Sequence, residues 1–112
     1  MSTILTRLEQ LIAERKAALA ADPGLPERSY VARVLARGRP RLARKLGEEA
    51  VETVVAALAE DDRALAGEAA DLLFHLLLLL GDRGIPLADV LAALEAREGL
   101  SGIDERAGRK TT

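Results

Sequence analysis

Between Leu72 and Leu80 the chain reads LLFHLLLLL, nine residues with one polar interruption at His75. A helix that is apolar over most of its circumference must be enclosed, either in a core or in a bilayer. A span needs about 20 such residues, and this run is well short of that, so a central core helix is expected. The remaining composition agrees with a helical core. Hydrophobic residues make up 49% of the chain but aromatic residues only 2%, with one Phe, one Tyr and no Trp. The core must therefore come from Leu, Val, Ile and Ala, of which Leu and Ala are strong helix formers. A chain of 112 residues is expected to form one small domain, whose core would be modest alone and larger in an oligomer.

The apolar spacing predicts about five helices. The first carries Ile4, Leu5, Leu8, Leu11, Ile12 and Leu19 and stops at ADPGLPE, where Pro23, Gly24 and Pro26 mark a loop. Ser29 offers an N-cap for a short second helix with Val31, Val34 and Leu35 inward and Gly38 at its end. A third helix is expected from Arg39 and Pro40 to about Ala59, with Leu42, Leu46, Val51, Val54, Val55 and Leu58 as its apolar residues. EDDR breaks it, and Asp61 or Asp62 can cap a fourth helix that runs to Gly81 and Gly84. A fifth opens at Pro86, carries Leu87, Val90, Leu91 and Leu94, and is expected to fade near Gly99. No strand pattern or internal repeat is present, so the expected architecture is an all-α bundle over residues 1–99, with residues 100–112 as a mobile C-terminal tail. The third and fourth helices have more apolar surface than the few short flanking helices can cover. A second copy of the chain is expected to complete the packing, most simply as a homodimer.

The chain has no Cys, which excludes disulfides and thiolate metal sites and fits a reducing compartment. A formal charge of −2 and the lack of aromatic side chains for stacking bases argue against a nucleic-acid partner. The N-terminal MSTILTRLEQLIAERK has charges throughout and no apolar signal-peptide core, so a cytoplasmic protein with no membrane partner is expected. Neither a G-x-x-x-x-G-K loop nor G-x-G-x-x-G occurs, and no Ser or Cys stands in a nucleophile pattern with His75.

The chemistry concentrates in KLGEEAVETVVAALAE, Lys45 to Glu60. Glu48, Glu49 and Glu52 fall within one arc of the third helix, together with Arg41 and Lys45. Like charges at these spacings cost a few tenths of a kcal/mol per pair. On the fourth helix Glu68 and Asp71 are three residues apart, with His75 four further on. Alone, the third-helix acids would read as a solvated face partnered by Lys45. With a second acidic cluster on the neighbouring antiparallel helix, convergence on a divalent cation explains them better. Oxygen ligands without Cys favour Mg²⁺, with Mn²⁺ as the alternative, and Mg²⁺ leaves coordination places for phosphate oxygens. His75 reads as a hydrogen-bonded core residue and stays outside that shell. From Arg28 to Lys45 seven cations stand against Glu27 alone. Most read as a solvated surface, but Arg41 and Lys45 share the carboxylate arc and could reach a phosphate.

GEEAVETVVAA followed by EAADLLFHLLLLL resembles the E-E-x-x-E and E-x-x-D signature of the all-α nucleoside triphosphate pyrophosphohydrolases related to MazG. With SYVARVLARG upstream, RGIPLADVLAALEAR after the motif and the closing SGIDERAGRK, the chain is more closely similar to the phosphoribosyl-ATP pyrophosphatase family over nearly its whole length. The resemblance implies hydrolysis of phosphoribosyl-ATP to phosphoribosyl-AMP and pyrophosphate in histidine biosynthesis, by a homodimer. It implies Glu49, Glu52, Glu68 and Asp71 as metal ligands, Lys45 as a phosphate contact and Glu48 as a water-positioning group, the first choice for general base. The rival readings are a house-cleaning NTP pyrophosphohydrolase of the same superfamily and a non-catalytic helical dimerisation module.

Overall fold

Thr3 begins the first helix, its hydroxyl accepting from the Thr6 N–H and satisfying one of the donors a helix N-terminus leaves open. The computed structural model describes the backbone of residues 3–110 and the side chains of residues 3–99. Helix α1 spans Ile4–Leu19, α2 Tyr30–Ala36, α3 Arg39–Ala59, α4 Asp62–Arg83 and α5 Leu87–Lys110, with a 3-10 turn at Leu25–Glu27 between α1 and α2. No strand occurs among the described residues, and the all-α bundle is as the periodicity predicts.

The caps follow the sequence chemistry. Ser29 Oγ accepts from the Ala32 N–H, 3.1 Å away, at the start of α2. Asp61, not Asp62, caps α4 by accepting from the Ala64 N–H at 2.8 Å. Gly84 ends α4 in the left-handed region at φ 70°, which an L side chain would strain. Gly81, by contrast, lies inside α4, and a Cβ there would stand 2.5 Å from Ile12 Cγ2. It is glycine because α1 and α4 approach closely at that point. Lys16 of α1 donates to the Asp82 and Gly81 carbonyls at 2.6 and 3.3 Å, placing a cation at the carbonyl end of α4.

The core joins Ile12 of α1, Val31, Val34 and Leu35 of α2, Leu42 of α3 and Leu77 and Leu78 of α4. Helix α1 packs on α4 and α2, while α3 packs mainly on α4. This arrangement changes the expected role of α3. Its buried line is Leu42, Glu49 and Ala56, each seven residues apart and so on one face. Val51, Val54, Val55 and Leu58 point the opposite way and are exposed, Leu58 by 84%. Leu73 on α4 and Leu91 and Leu94 on α5 are also exposed. By length and composition α4 could cross a membrane, since the whole helix is longer than the nine-residue run read from sequence. Its residues Glu68, Asp71 and His75 and its packing on α1 and α3 instead give it a place in the bundle.

Helix α5, expected to fade near Gly99, continues to Lys110. Its Ala, Leu, Glu and Arg residues favour helix, and an isolated glycine costs about 1 kcal/mol without ending one. The side chains from residue 100 onward, and residues 1, 2, 111 and 112 altogether, lie outside the described residues, and with them the expectation of a mobile tail.

Candidate active site

Helices α3 and α4 run antiparallel because the short break at Glu60–Asp61 turns the chain back on itself. Residues near 49 and 53 therefore face residues near 68 and 71. Thr53 ties the pair: its hydroxyl lies 2.8 Å from the Glu49 carbonyl oxygen and 3.3 Å from that of Glu68, one donor bridging both helices. One ligand atom each from Glu49, Glu68 and Asp71 lies within 4.8 Å of the others. Glu49 is only 4% exposed. Its Oε2 and the Oε2 of Glu68 are buried without any hydrogen-bond partner.

Orphaned, buried oxygens on two carboxylates that approach within 4.8 Å across a helix pair are unfavourable unless a cation or proton lies at hand. The three residues thus fit a divalent ion, which would satisfy both atoms at once. Glu52 is exposed, outside the tight trio, but beside it. A hydrogen bond to Glu49 and that group's charge, reinforced by burial and by Glu68, hold the Glu52 carboxyl above the ordinary glutamate value. Lys45 stands 3.2 Å from Glu49 and 3.9 Å from Glu48. Its hydrogen bond to Glu49 holds the ammonium above its usual value, against some desolvation. Lys45 is thus an intrahelical partner as well as a neighbour of the cluster.

Next to the acids opens a cleft of about 350 Å³, lined by Tyr30 and Val34 of α2, by Arg37 just past its end, by Arg41, Leu42, Arg44, Lys45 and Glu48 of α3, and by His75 of α4. The sequence-predicted Arg41 and Lys45 are both there. Glu48 faces this cleft and not the acid trio, since residues 48 and 49 are 100° apart on the helix.

The basic segment divides by use. Arg28 pairs with Asp22, Arg33 Nε donates to the Pro26 carbonyl at 3.1 Å, and Arg39 pairs with Asp82 at 2.7 Å. Arg37 and Arg44, which the sequence suggests are solvated, line the cleft instead, and with Arg41 they make no ion pair among the described residues. Unpaired cations around one opening are an anion site in the making. Sequence spacing missed Arg37 because α2's position over α3 decides which of its faces meets the cleft. Tyr30 and Thr53 were also missed, Thr53 for want of any signal and Tyr30 although it is the chain's only Tyr.

His75 is buried with its Nδ1 2.7 Å from the Asp71 carbonyl oxygen, outside the acid trio, as expected of a hydrogen-bonded core residue.

Comparison with known proteins places this geometry. The family model described as Phosphoribosyl-ATP pyrophosphohydrolase matches residues 5–98, which contain the acid trio, Glu48, Glu52 and the cations of the cleft. A protein named Phosphoribosyl-ATP pyrophosphatase from Rhizorhabdus wittichii is 57% identical over 97% of both chains. One of the same name from Erythrobacter litoralis is 57% identical over 94% of this chain and 95% of its own. A third, from Agrobacterium fabrum, is 50% identical over 96% and 94%. The similarity spans both the acid-bearing helix pair and the arginine-lined cleft beside it, and the chain belongs to the phosphoribosyl-ATP pyrophosphohydrolase family.

Proposed function

We propose that this protein hydrolyses phosphoribosyl-ATP to phosphoribosyl-AMP and pyrophosphate, in the cytoplasm and as a step of histidine biosynthesis. The observation that carries the reading is the junction of two features: an acid trio with two orphaned oxygens, and a cleft whose three arginines lack ion-pair partners. A substrate that is both polyanionic and metal-binding is complementary to both.

The acids Glu49, Glu68 and Asp71, with Glu52 beside them, would hold Mg²⁺, or Mn²⁺ in its place. Such an ion supplies positive charge that offsets the phosphate oxygens and the departing pyrophosphate. The chain's own residues do the rest. Arg41 and Lys45 hold phosphate oxygens by charge-assisted hydrogen bonds, and Arg37 and Arg44 extend that grip. Glu48, exposed at the cleft wall within 3.9 Å of Lys45, takes the proton of the attacking water as general base. Water adds across the anhydride between the α and β phosphates, and the P–O bond to pyrophosphate breaks.

The apolar face of α3 supports a homodimer. Val51, Val54 and Leu58 recur at spacings of three and four on the side facing away from the core, and Leu73 of α4 is exposed as well. A spacing of this kind is the seam of a helix-helix interface, and a twofold axis would bury the same stripe on both copies.

Assay of the purified protein on phosphoribosyl-ATP, dCTP and dUTP with pyrophosphate detection tests the reading. Glu52→Gln and Asp71→Asn should each lower turnover by at least the roughly 100-fold that even an outer partner of a metal ligand can cost, while the fold persists. Preference for a free nucleotide would instead favour a house-cleaning hydrolase, and full activity in either variant would remove the metal assignment. No heat of binding with Mg²⁺ or Mn²⁺, with and without nucleotide, would leave only a helical dimerisation module.

A further inference from the structure

The cleft beside the acids is not uniformly a trap for anions. Arg37, Arg41, Arg44 and Lys45 offer only donors, and phosphate oxygens suit them. His75 differs. Its Nδ1 lies 2.7 Å from the Asp71 carbonyl oxygen, an atom with no proton to give, so Nδ1 carries the hydrogen, and in that tautomer Nε2 carries a lone pair. That Nε2 is buried and has no partner. His75 is 5% exposed yet lines the cleft. A buried acceptor left unpaired is costly, and a phosphate oxygen, itself an acceptor, cannot relieve it.

The surroundings of His75 are equally specific. Phe74 meets the imidazole edge to face at 5.4 Å, and Tyr30 stacks on Phe74 with centroids 6.4 Å apart and planes 19° from parallel. These are the chain's only Phe, Tyr and His. A sequence almost without aromatic residues has set these three rings side by side, with Tyr30 and His75 lining one cleft and Phe74 between them. Tyr30 lines that cleft and is still 53% exposed, an apolar ring half open to solvent among charged side chains. A flat partner bearing a hydrogen-bond donor would cover the ring and satisfy the lone pair together.

We propose that Tyr30 and His75 form the nucleobase subsite: Tyr30 stacks on an aminopurine ring, and His75 Nε2 accepts a hydrogen bond from its exocyclic amino group. This rests on the nucleotide reading above and deepens it, since the cations hold phosphates whereas these two residues choose the base. Stacking alone tolerates any base; a hydrogen bond that only one partner can complete discriminates.

Titration calorimetry of the full-length protein with AMP, IMP and pyrophosphate, each with Mg²⁺, tests the proposal. IMP carries an oxygen acceptor where AMP carries the amino donor, and pyrophosphate has no base. The parent should prefer AMP over IMP by about tenfold, the value of one good neutral hydrogen bond. His75→Phe should erase that preference, His75→Gln should restore part of it, and neither should move pyrophosphate affinity more than about twofold. Tyr30→Leu should weaken AMP and IMP alike by about tenfold, with pyrophosphate unchanged and Tyr30→Phe restoring both. Equal binding of AMP and IMP to the parent overturns the subsite, as does a preference that survives His75→Phe. Parallel loss of pyrophosphate binding in Tyr30→Leu would assign Tyr30 to the fold instead. Phosphoribosyl-ATP turnover without base preference would sink only this inference. A base preference without that turnover would sink only the proposed reaction.

Discussion

At the scale of single residues, Glu52 shows what the acidic cluster costs. Its carboxyl is held above the ordinary glutamate value by Glu49 and Glu68, whereas in the unfolded chain it titrates normally. Between those two values the folded state binds the extra proton, so acid favours folding there and stability falls as pH rises through the window. Once ionised, Glu52 only adds repulsion to the metal-free fold. In EDTA, the parent's urea midpoint should therefore fall more steeply as pH rises above the ordinary glutamate value of 4.5 than that of Glu52→Gln. Identical pH profiles for the two proteins would refute the coupling. Mg²⁺ should flatten the difference, because a bound cation favours the ionised carboxylates. The same logic explains Lys45, whose ammonium balances Glu49 at 3.2 Å while leaving Glu49 Oε2 and Glu68 Oε2 without partners.

At the scale of elements, the site depends on the register between α3 and α4, which is held at both ends. Near the acids Thr53 bridges the Glu49 and Glu68 carbonyls; at the far end Arg39 meets Asp82 at 2.7 Å. Helix α1 then braces α4 at Gly81, where there is no room for a methyl group against Ile12. Gly81→Ala should gain about 1 kcal/mol of helix propensity and lose about 1–3 kcal/mol to overpacking, for a net destabilisation measurable by urea unfolding. Pairing it with Ile12→Ala should show favourable coupling in a double-mutant cycle, since the clash then has nothing to meet. Additive losses would mean that α1 and α4 separate freely. An α1 displaced from α4 would also release Lys16 from the Asp82 and Gly81 carbonyls.

For the whole molecule, the question is what covers the outer stripe of α3. Val51, Val54, Val55 and Leu58 are too many exposed aliphatic side chains on one face to be the scattered kind that surfaces normally carry. With a second copy on that face, Val54→Glu or Leu58→Glu should convert a dimer to a monomer in sedimentation velocity. Unfolding midpoints of the parent should rise with protein concentration, as mass action requires, and those of the variants should not. A parent that sediments as a monomer at every concentration would exclude the twofold arrangement.

Some of this protein was determined by its sequence alone. The ends of α2, α3 and α4 were legible because their signals are local: Ser29 and Asp61 cap through their own side chains, Pro40 suits a first turn, and Gly84 permits a left-handed turn; the end of α5 was not, because an isolated glycine does not stop a helix. The approach of the acids was legible because spacings of three and four put each set on one face, and two antiparallel helices can turn those faces together. What tertiary structure decided depends on relative placement, which no local pattern encodes. It selected Glu49, Glu68 and Asp71 as the tight trio, with Glu52 at its edge and Glu48 in the cleft. It put Arg37 and Arg44 to use while assigning Arg28, Arg33 and Arg39 to loops and helix ends. It turned the valines of α3 outward, because α1 packs on α4 and leaves that side of α3 uncovered. Periodicity tells which residues share a face; only the positions of the other helices tell what that face meets.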